Sequence, residues 1–201
     1  MKEIVFYGRG GHGAVMASEL AAIAAYNAGM QSQAFPFFGG ERRGAPVRSF
    51  MRMDSEPIML HSQIYHPDII VILDAELLRI AQEGVAASTL KPGGSIVMNL
   101  PSREEAEKYA ADLKLKESEK GLSYVDATSI ARELSLVVAA WPVINTAMLG
   151  AFVKATGIVS LDNLLKAIEG YWPKALAEKN VEAAKAGYER CVVLIGAAHG
   201  E

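Results

Sequence analysis

The chain has 201 residues, of which 51% are hydrophobic and 21% are charged, and its net charge is −3 at pH 7. This length suits one α/β domain with a substantial core, and the slight acidity gives no basic footprint for nucleic acid. No uninterrupted apolar run approaches the roughly 18 residues of a membrane helix, and residues 1–4 lead into a strand without a signal-peptide pattern. We therefore expect a cytoplasmic protein with neither nucleic acid nor a membrane as partner.

The first predicted element is a short apolar strand that runs into three spaced glycines, Gly8, Gly10 and Gly13. The alanine-rich segment 13–28 is typical of a helix, and Gly29 marks its end. Glycines let backbone N–H groups approach an anion, and the positive end of the helix dipole adds to the attraction. The pattern predicts a pyrophosphate-binding loop, which we call the glycine loop, formed by Gly8, Arg9, Gly10, Gly11, His12 and Gly13. A turn that only packs a helix closely against a strand is the alternative.

The second predicted strand, residues 31–35, lacks the feature that a dinucleotide site requires. In such sites this strand ends in Asp or Glu, which holds the ribose hydroxyls. Here the strand runs into an aromatic and glycine-rich segment, and the first carboxylate is Glu41. This argues against NAD as the ligand.

The loop after this strand combines aromatic, glycine and arginine residues, among them Phe37, Glu41, Arg42, Arg43 and Gly44. It is too apolar for an ordinary solvated loop and too broken for a strand. Aromatic rings and guanidinium groups suit a protein interface or an anionic ligand. The alternative is that the aromatic rings belong to the core and the arginines form surface ion pairs with Glu41, which contribute little.

Several segments together resemble the gamma subunit of the 2-oxoacid:ferredoxin oxidoreductases, of the pyruvate and 2-oxoisovalerate type. The similar segments are residues 8–15, 33–36, 40–47, 68–74, 126–128, 145–152 and 178–180. Their order and spacing both match, and the resemblance covers nearly the whole chain. One departure is His12, where we expect glutamine in most members.

The resemblance implies a subunit of an enzyme that oxidatively decarboxylates pyruvate or a related 2-oxoacid and releases acyl-CoA. It implies alpha, beta and delta type partner subunits that carry thiamine diphosphate, magnesium and iron–sulfur clusters, with ferredoxin as the electron acceptor. The glycine loop and residues 41–44 would then face coenzyme A or those subunits. Coenzyme A suits the glycine loop, because its pyrophosphate needs N–H donors while its ribose need not meet a strand-end carboxylate. Asn145, at the start of an apolar helix, would contact either ligand or backbone.

The remaining elements alternate between strand and helix as far as Trp141. Strands are predicted at residues 48–53, 69–73, 95–99 and 122–125, and helices at residues 75–82, 103–113 and 129–134. The wholly apolar segment 69–73 is typical of a strand buried on both faces. Asp74 and Asn99 follow two of the strands, where both ligand contacts and helix caps occur.

From Trp141 onward the pattern is helical, with helices predicted at residues 143–155, 161–169 and 173–190. We therefore expect a three-layer, Rossmann-like, doubly wound α/β sheet with a helical C-terminal layer. It forms one gamma-type domain over residues 1–201, of which about 141–201 are mainly helical.

Cysteine and histidine content limits the chemistry of the isolated chain. Cys191 is the only cysteine, so the chain can form neither a disulfide nor a four-thiolate cluster, and we expect Cys191 to be a small buried apolar residue. The four histidines are scattered and form no metal-ligand motif. We expect no catalytic residue, no metal site and no cofactor bound by this chain alone. A free-standing NAD- or flavin-dependent reductase and a non-catalytic nucleotide-binding scaffold module are the alternatives.

Overall fold

A computed structural model describes residues 1–37, 45–78, 89–116 and 119–197. Seven of its strands form one mixed sheet, and two more form a small hairpin. In chain order the strands are β1 (Lys2–Arg9), β2 (Gln31–Phe37), β3 (Pro46–Asp54), β4 (Ile69–Ile72), β5 (Ser95–Asn99), β6 (Gly121–Val125), β7 (Val137–Val138), β8 (Trp141–Pro142) and β9 (Val192–Ile195). The helices are α1 (Ala14–Asn27), α2 (Arg103–Asp112), α3 (Ala127–Glu133), α4 (Asn145–Thr156), α5 (Leu161–Tyr171) and α6 (Lys174–Arg190), with a 3-10 turn at Ala75–Leu78.

The strand order of the sheet is β2-β3-β1-β4-β5-β6-β9. Strands β1, β4, β5 and β6 are parallel, β3 runs antiparallel to its neighbours β1 and β2, and β9 runs antiparallel to β6. The chain leaves β1 through α1 toward β2 on one side, whereas β4 lies on the other side of β1. The carboxyl ends of β1 and β4 therefore flank a topological switch point, where open α/β sheets bind ligands.

Two apolar cores cover the two faces of the sheet, so the molecule has three layers. In β1, Ile4 and Phe6 face one core and Val5 and Tyr7 face the other, as the two-residue period of a strand requires. The first core contains residues of α1, α3, α4, α5 and α6. The second contains residues of α2 and of the 3-10 turn. Helices on both faces confirm the predicted α/β class.

A cluster of ion pairs closes the amino edge of the sheet, opposite the glycine loop. Arg52, which is only 1% exposed, donates from Nε to Glu3 Oε1 at 2.9 Å. Lys91 Nζ lies 3.2 Å from Glu3 Oε2 and 2.9 Å from Asp68 Oδ2. The pairs join β1, β3 and the starts of β4 and β5, so this edge serves the fold and leaves the carboxyl edge for a site.

Some element boundaries differ from the predicted ones. Strand β2 continues through Pro36 to Phe37, which is tolerated because β2 is an edge strand. Of the helix predicted at residues 75–82, the structure describes the 3-10 turn, and residues 79–88 lie outside the described part. The wholly helical pattern expected after Trp141 is wrong at β9, because its four apolar residues complete the sheet beside β6. None of the helices in the described ranges is long and apolar enough to cross a membrane.

Candidate functional site

The glycine loop lies at the carboxyl edge, between the end of β1 and the start of α1. Gly10 N–H donates to Ala45 O and His12 N–H donates to Arg9 O, each at 3.0 Å, which fixes the turn. Gly11 and Gly13 have φ of +108° and +81°, values that side chains other than glycine rarely adopt. Of the three spaced glycines, Gly13 thus meets a backbone requirement, and the adjacent Gly11 meets a second one.

The N-terminus of α1 is open to an anion. Its N-cap residue is Gly13, which has no side chain to cap it, and no acidic residue lies in its first turn. The first N–H groups of a helix have no partner within the helix, and they carry the positive end of the dipole. An anionic group at this point would receive backbone hydrogen bonds and favourable electrostatics without any rearrangement.

Two buried polar atoms beside this helix end have no hydrogen-bond partner among the residues that the structure describes: His12 Nδ1 and Asn145 Nδ2. Asn145 is fully buried, and its Oδ1 accepts from Thr146 N–H at 2.9 Å, which fixes the amide. A Cβ at Gly13 would lie only 2.9 Å from Asn145 Nδ2, so glycine is needed to leave room for the amide. Buried polar atoms without partners cost free energy. Their position here fits a polar ligand.

Arg9 bridges the switch point. Its Nε donates to Asp74 Oδ2 at 2.5 Å, and its Nη2 lies 3.4 Å from Oε2 of the exposed Glu76. Asp74 is itself fixed, because its Oδ1 accepts from Glu76 N–H at 3.0 Å. The sequence left a ligand contact and a helix cap open for Asp74, and the structure shows that Asp74 caps the 3-10 turn after β4 while it also holds Arg9.

The environment of His12 favours the neutral imidazole. Burial lowers the pKa of His12 below its ordinary value; Asp74 raises it and Arg9 lowers it further, in that order of importance. A neutral imidazole has one nitrogen that donates and one that accepts. Nδ1 can therefore meet either a donor or an acceptor of a ligand, depending on the tautomer.

Asn99 has a structural role at the same edge. Its Nδ2 donates to Leu73 O at 3.2 Å and to Thr128 Oγ1 at 2.9 Å, and its Oδ1 accepts from Ala127 N–H at 3.0 Å. It thus ties β4 and β5 to the start of α3. Of the two interpretations that the sequence left open for Asn99, these bonds favour the cap.

An exposed apolar hairpin, formed by β7 and β8, stands beside the glycine loop. Val138 is 66% and Trp141 54% exposed, and they are paired across the two strands. Ala139 and Ala140 form the turn with φ of +51° and +69°. The Trp141 ring centroid lies 5.9 Å from that of His12. Sequence reasoning missed this hairpin and used Trp141 only as a boundary.

The predicted aromatic and arginine loop is described only at its start. Phe37, at the end of β2, is partly buried, its ring centroid is 6.5 Å from that of Phe50, and the Arg48 guanidinium lies 4.8 Å from the centre of the Phe37 ring. These contacts fit the interpretation of Phe37 as a core residue. Glu41, Arg42, Arg43 and Gly44 lie outside the described residues.

Cys191 is buried in the core, as expected. Its Sγ donates to Ala151 O at 3.6 Å, and burial raises the pKa of the thiol to about 11. A thiol with such a pKa is almost wholly protonated at neutral pH and is a poor nucleophile. Within the described ranges, no three His, Cys, Asp or Glu side chains form a group that could hold a metal ion.

Comparison with known proteins gives a consistent result. The family model described as pyruvate ferredoxin/flavodoxin oxidoreductase matches residues 3–190. The chain is 45% identical over 194 residues to the pyruvate/ketoisovalerate oxidoreductases common subunit gamma of Thermococcus kodakarensis, covering 96% of this chain and 98% of the relative.

Solved structures agree with this match. The crystal structure of pyruvate oxidoreductase subunit PORC from Thermotoga maritima superposes with a TM-score of 0.74 at 33% identity, over 96% of this chain and 98% of that one. The 2-oxoglutarate:ferredoxin oxidoreductase of Magnetococcus marinus, with 2-oxoglutarate, coenzyme A and succinyl-CoA bound, superposes with a TM-score of 0.67 at 19% identity. That superposition covers 100% of this chain and 33% of the other, and it shows a shared fold.

Proposed function

The chain belongs to the pyruvate ferredoxin/flavodoxin oxidoreductase family, and from this premise we propose that its glycine loop helps to bind coenzyme A in the assembled enzyme. The chain is a gamma-type subunit of a 2-oxoacid oxidoreductase, like the relatives and the subunit structure that it matches over nearly their full length. The reaction of the assembled enzyme is the oxidative decarboxylation of pyruvate or a related 2-oxoacid to acyl-CoA.

The observation that carries the proposal is the uncapped start of α1 beside two buried polar atoms without partners. Coenzyme A is a polyanion with a pyrophosphate, and it has amide and hydroxyl groups close to it. Backbone N–H groups at the start of α1 would meet the pyrophosphate. Asn145 Nδ2, fixed through its own Oδ1, would donate to a neighbouring oxygen. The Magnetococcus marinus structure of the same fold has coenzyme A bound, which fits this assignment.

The residues of this chain act by binding and orientation. The Arg9–Asp74 pair fixes a guanidinium at the mouth of the switch point, where its N–H groups are close to the helix N-terminus although Asp74 offsets its charge. His12 and Asn145 line the inner side of the loop. Orienting the thiol acceptor in this way lowers the entropic cost of the acyl transfer that follows decarboxylation. The chain needs no nucleophile of its own for this role.

The redox chemistry belongs, in this proposal, to other chains. Thiamine diphosphate supplies the decarboxylation chemistry, and we place it with magnesium and the iron–sulfur clusters on partner subunits of alpha, beta and delta type. Ferredoxin is the proposed electron acceptor, and the cytoplasm the proposed location. The single cysteine, which is buried and protonated at neutral pH, supports this division, because it offers no thiolate set for a cluster. We assign residues 1–201 to one gamma-type domain.

A free-standing NAD-dependent reductase is less well supported. Strand β2 reaches its described end at Phe37 without a carboxylate. In a dinucleotide site, a carboxylate at the end of this strand binds the ribose hydroxyls.

The test compares two glycines that both adopt positive φ. Gly11 and Gly29 have φ of +108° and +82°, and a Cβ at either would meet no atom within 4 Å. Replacing either by alanine therefore strains the backbone without a steric clash, but only Gly11 belongs to the glycine loop. We expect Gly11→Ala to raise the KM and the Kd for coenzyme A by about tenfold or more, while Gly29→Ala leaves both unchanged.

The measurements are coenzyme A binding by calorimetry and steady-state turnover, both on the assembled oxidoreductase. Reduction of the clusters by 2-oxoacid without coenzyme A should persist in both variants, since this step takes place before the coenzyme A thiol reacts. Equal coenzyme A affinity in the Gly11→Ala and Gly29→Ala complexes, or tight NAD binding by the unmodified protein, would contradict the proposal.

A further inference from the structure

The hairpin of β7 and β8 presents an aromatic face next to the glycine loop. Trp141 is more than half exposed, and its ring centroid is 5.9 Å from that of His12, which is itself a loop residue. His12 is nine-tenths buried and its Nδ1 lacks a partner among the described residues. An exposed indole therefore stands directly beside a helix N-terminus that is built for a phosphate.

The hairpin holds this ring in a defined place. Trp141 is paired with Val138 across the strands, and Val143 N–H donates to Leu136 O at 2.8 Å where the hairpin leaves the core. The turn keeps two alanines in the left-handed region, which costs free energy for any residue with a side chain. A hairpin fixed at both its turn and its base positions the indole more rigidly than an open loop would.

In a nucleotide, the ribose joins the phosphate to the base. An exposed aromatic ring close to a phosphate site is therefore in position to stack on the base. The faces of purine bases stack on aromatic side chains, and each such contact strengthens binding by about 5- to 150-fold. Strand β2 carries no carboxylate for the ribose, and Asp74 is engaged by Arg9, so we assign the contact of this edge with the nucleoside to the base. Trp141 is the exposed aromatic ring that the structure places against the loop.

We propose that Trp141 is the stacking platform for the adenine base of the ligand whose phosphates lie at the glycine loop. This inference rests on the proposed function. It adds a residue that would distinguish coenzyme A, which carries adenosine, from a thiol that lacks it. Trp141 is then a specificity-determining residue. Exposed Val138 on the same hairpin supplies apolar surface without an aromatic face.

The experiment uses the assembled oxidoreductase with three substitutions: Trp141→Ala, Trp141→Phe and Val138→Ala. The acceptors are coenzyme A and pantetheine 4′-phosphate, which has the thiol arm without the adenosine. We expect Trp141→Ala to raise the KM for coenzyme A by about tenfold or more at nearly constant kcat, because the loss of one stacking contact weakens binding by about one to two decades. Pantetheine 4′-phosphate should react equally well with every variant, and Trp141→Phe should restore most of the coenzyme A affinity.

The outcomes separate this inference from the function on which it rests. An unchanged KM for coenzyme A in Trp141→Ala, together with an increased KM in Gly11→Ala, would overturn adenine stacking and leave the phosphate site. No effect in either variant would overturn both. Loss of subunit assembly in both Trp141→Ala and Val138→Ala would identify the hairpin as a subunit contact and overturn the inference.

Discussion

Burial lowers the pKa of His12 and so favours its uncharged form, inside a loop that we assign to an anion. Its neighbours Asp74 and Arg9 act on its pKa in opposite directions, and burial dominates over both. A neutral ring can accept a hydrogen bond from a ligand amide or donate one to a phosphate. Protonation would add charge to a group that is nine-tenths buried, so it carries a cost in stability.

This cost predicts a pH dependence of stability. Because the pKa of His12 is lower in the folded protein than in the unfolded chain, the unfolded chain takes up the proton first as the pH falls. His12 therefore stabilises the fold fully above the unfolded value of about 6.5, and its contribution decreases as the pH falls below that value. We expect the free energy of unfolding in urea to decrease less between pH 7.5 and pH 5 in His12→Gln than in the unmodified chain.

The other histidines, His61, His66 and His199, are shared by both proteins, so the difference between the two profiles isolates His12. Parallel profiles would show that His12 has the same pKa in the folded and unfolded states.

At the scale of single residues, the sequence predicts what depends on local backbone chemistry. The glycine-rich segment correctly indicated the turn, since Gly13 and its neighbour Gly11 adopt positive φ, whereas Gly8 and Gly10 do not. It could not indicate the partner of Arg9, because Asp74 is 65 residues away and reaches it only through the pairing of β1 with β4. It also could not place Trp141 beside His12, because these two residues are likewise far apart in the sequence.

The helical layer is fixed by a close contact between α4 and α6. A Cβ at Gly150 would overlap the carbonyl oxygen of Ala184, and a Cβ at Gly187 would overlap that of Ala147. Thr146 Oγ1 also donates to Asn180 Oδ1 at 2.9 Å between the same helices. The two backbones therefore approach to a distance that only glycine permits. This contact matters for the site, since α4 begins at Asn145.

We expect Gly150→Ala to destabilise the chain by about 1–3 kcal/mol, or more if the helices cannot separate, because the added methyl group overpacks the contact. Gly170→Ala is the matched control, since Gly170 lies in α5, is exposed, and has no atom within 4 Å of the position that the new methyl group would take. That change should stabilise by up to about 1 kcal/mol through helix propensity. Urea denaturation measures both, and similar effects in the two variants would refute the close contact.

At the scale of elements, periodicity predicted the existence of the helices better than their partners. The pattern of α4 and α6 is helical in the sequence, yet the role of Gly150 and Gly187 becomes visible only when the two helices cross. Strand β9 was missed because four apolar residues after a long helix do not show an alternating pattern. Its role comes from β6, whose outer edge it covers.

At the scale of the whole molecule, the sheet order depends on contacts that no local pattern contains. The parallel run β1, β4, β5 and β6 follows from buried apolar strands that alternate with helical or irregular segments. The antiparallel insertion of β3 between β2 and β1 does not follow from such a pattern. This insertion brings Phe37 and Ala45, the two residues that flank the arginine-containing segment, to the carboxyl edge of the sheet. Phe37 ends β2, and Ala45 O accepts from Gly10 N–H at 3.0 Å.

The position of these two residues supports a prediction for Arg42 and Arg43, which lie between them in the sequence. If the arginines dock against a partner subunit or its ligand, replacing both by alanine should leave the fold intact and reduce complex formation or coupled turnover by about tenfold or more, since arginines are frequent hot spots at interfaces. The matched control is Lys174→Ala with Lys185→Ala, which removes the same charge from two exposed positions on α6. Co-purification of the subunits and coenzyme A-dependent turnover measure the effect, with circular dichroism as the check on folding. Equal assembly and turnover in the two double variants would assign the arginines to ordinary surface ion pairs.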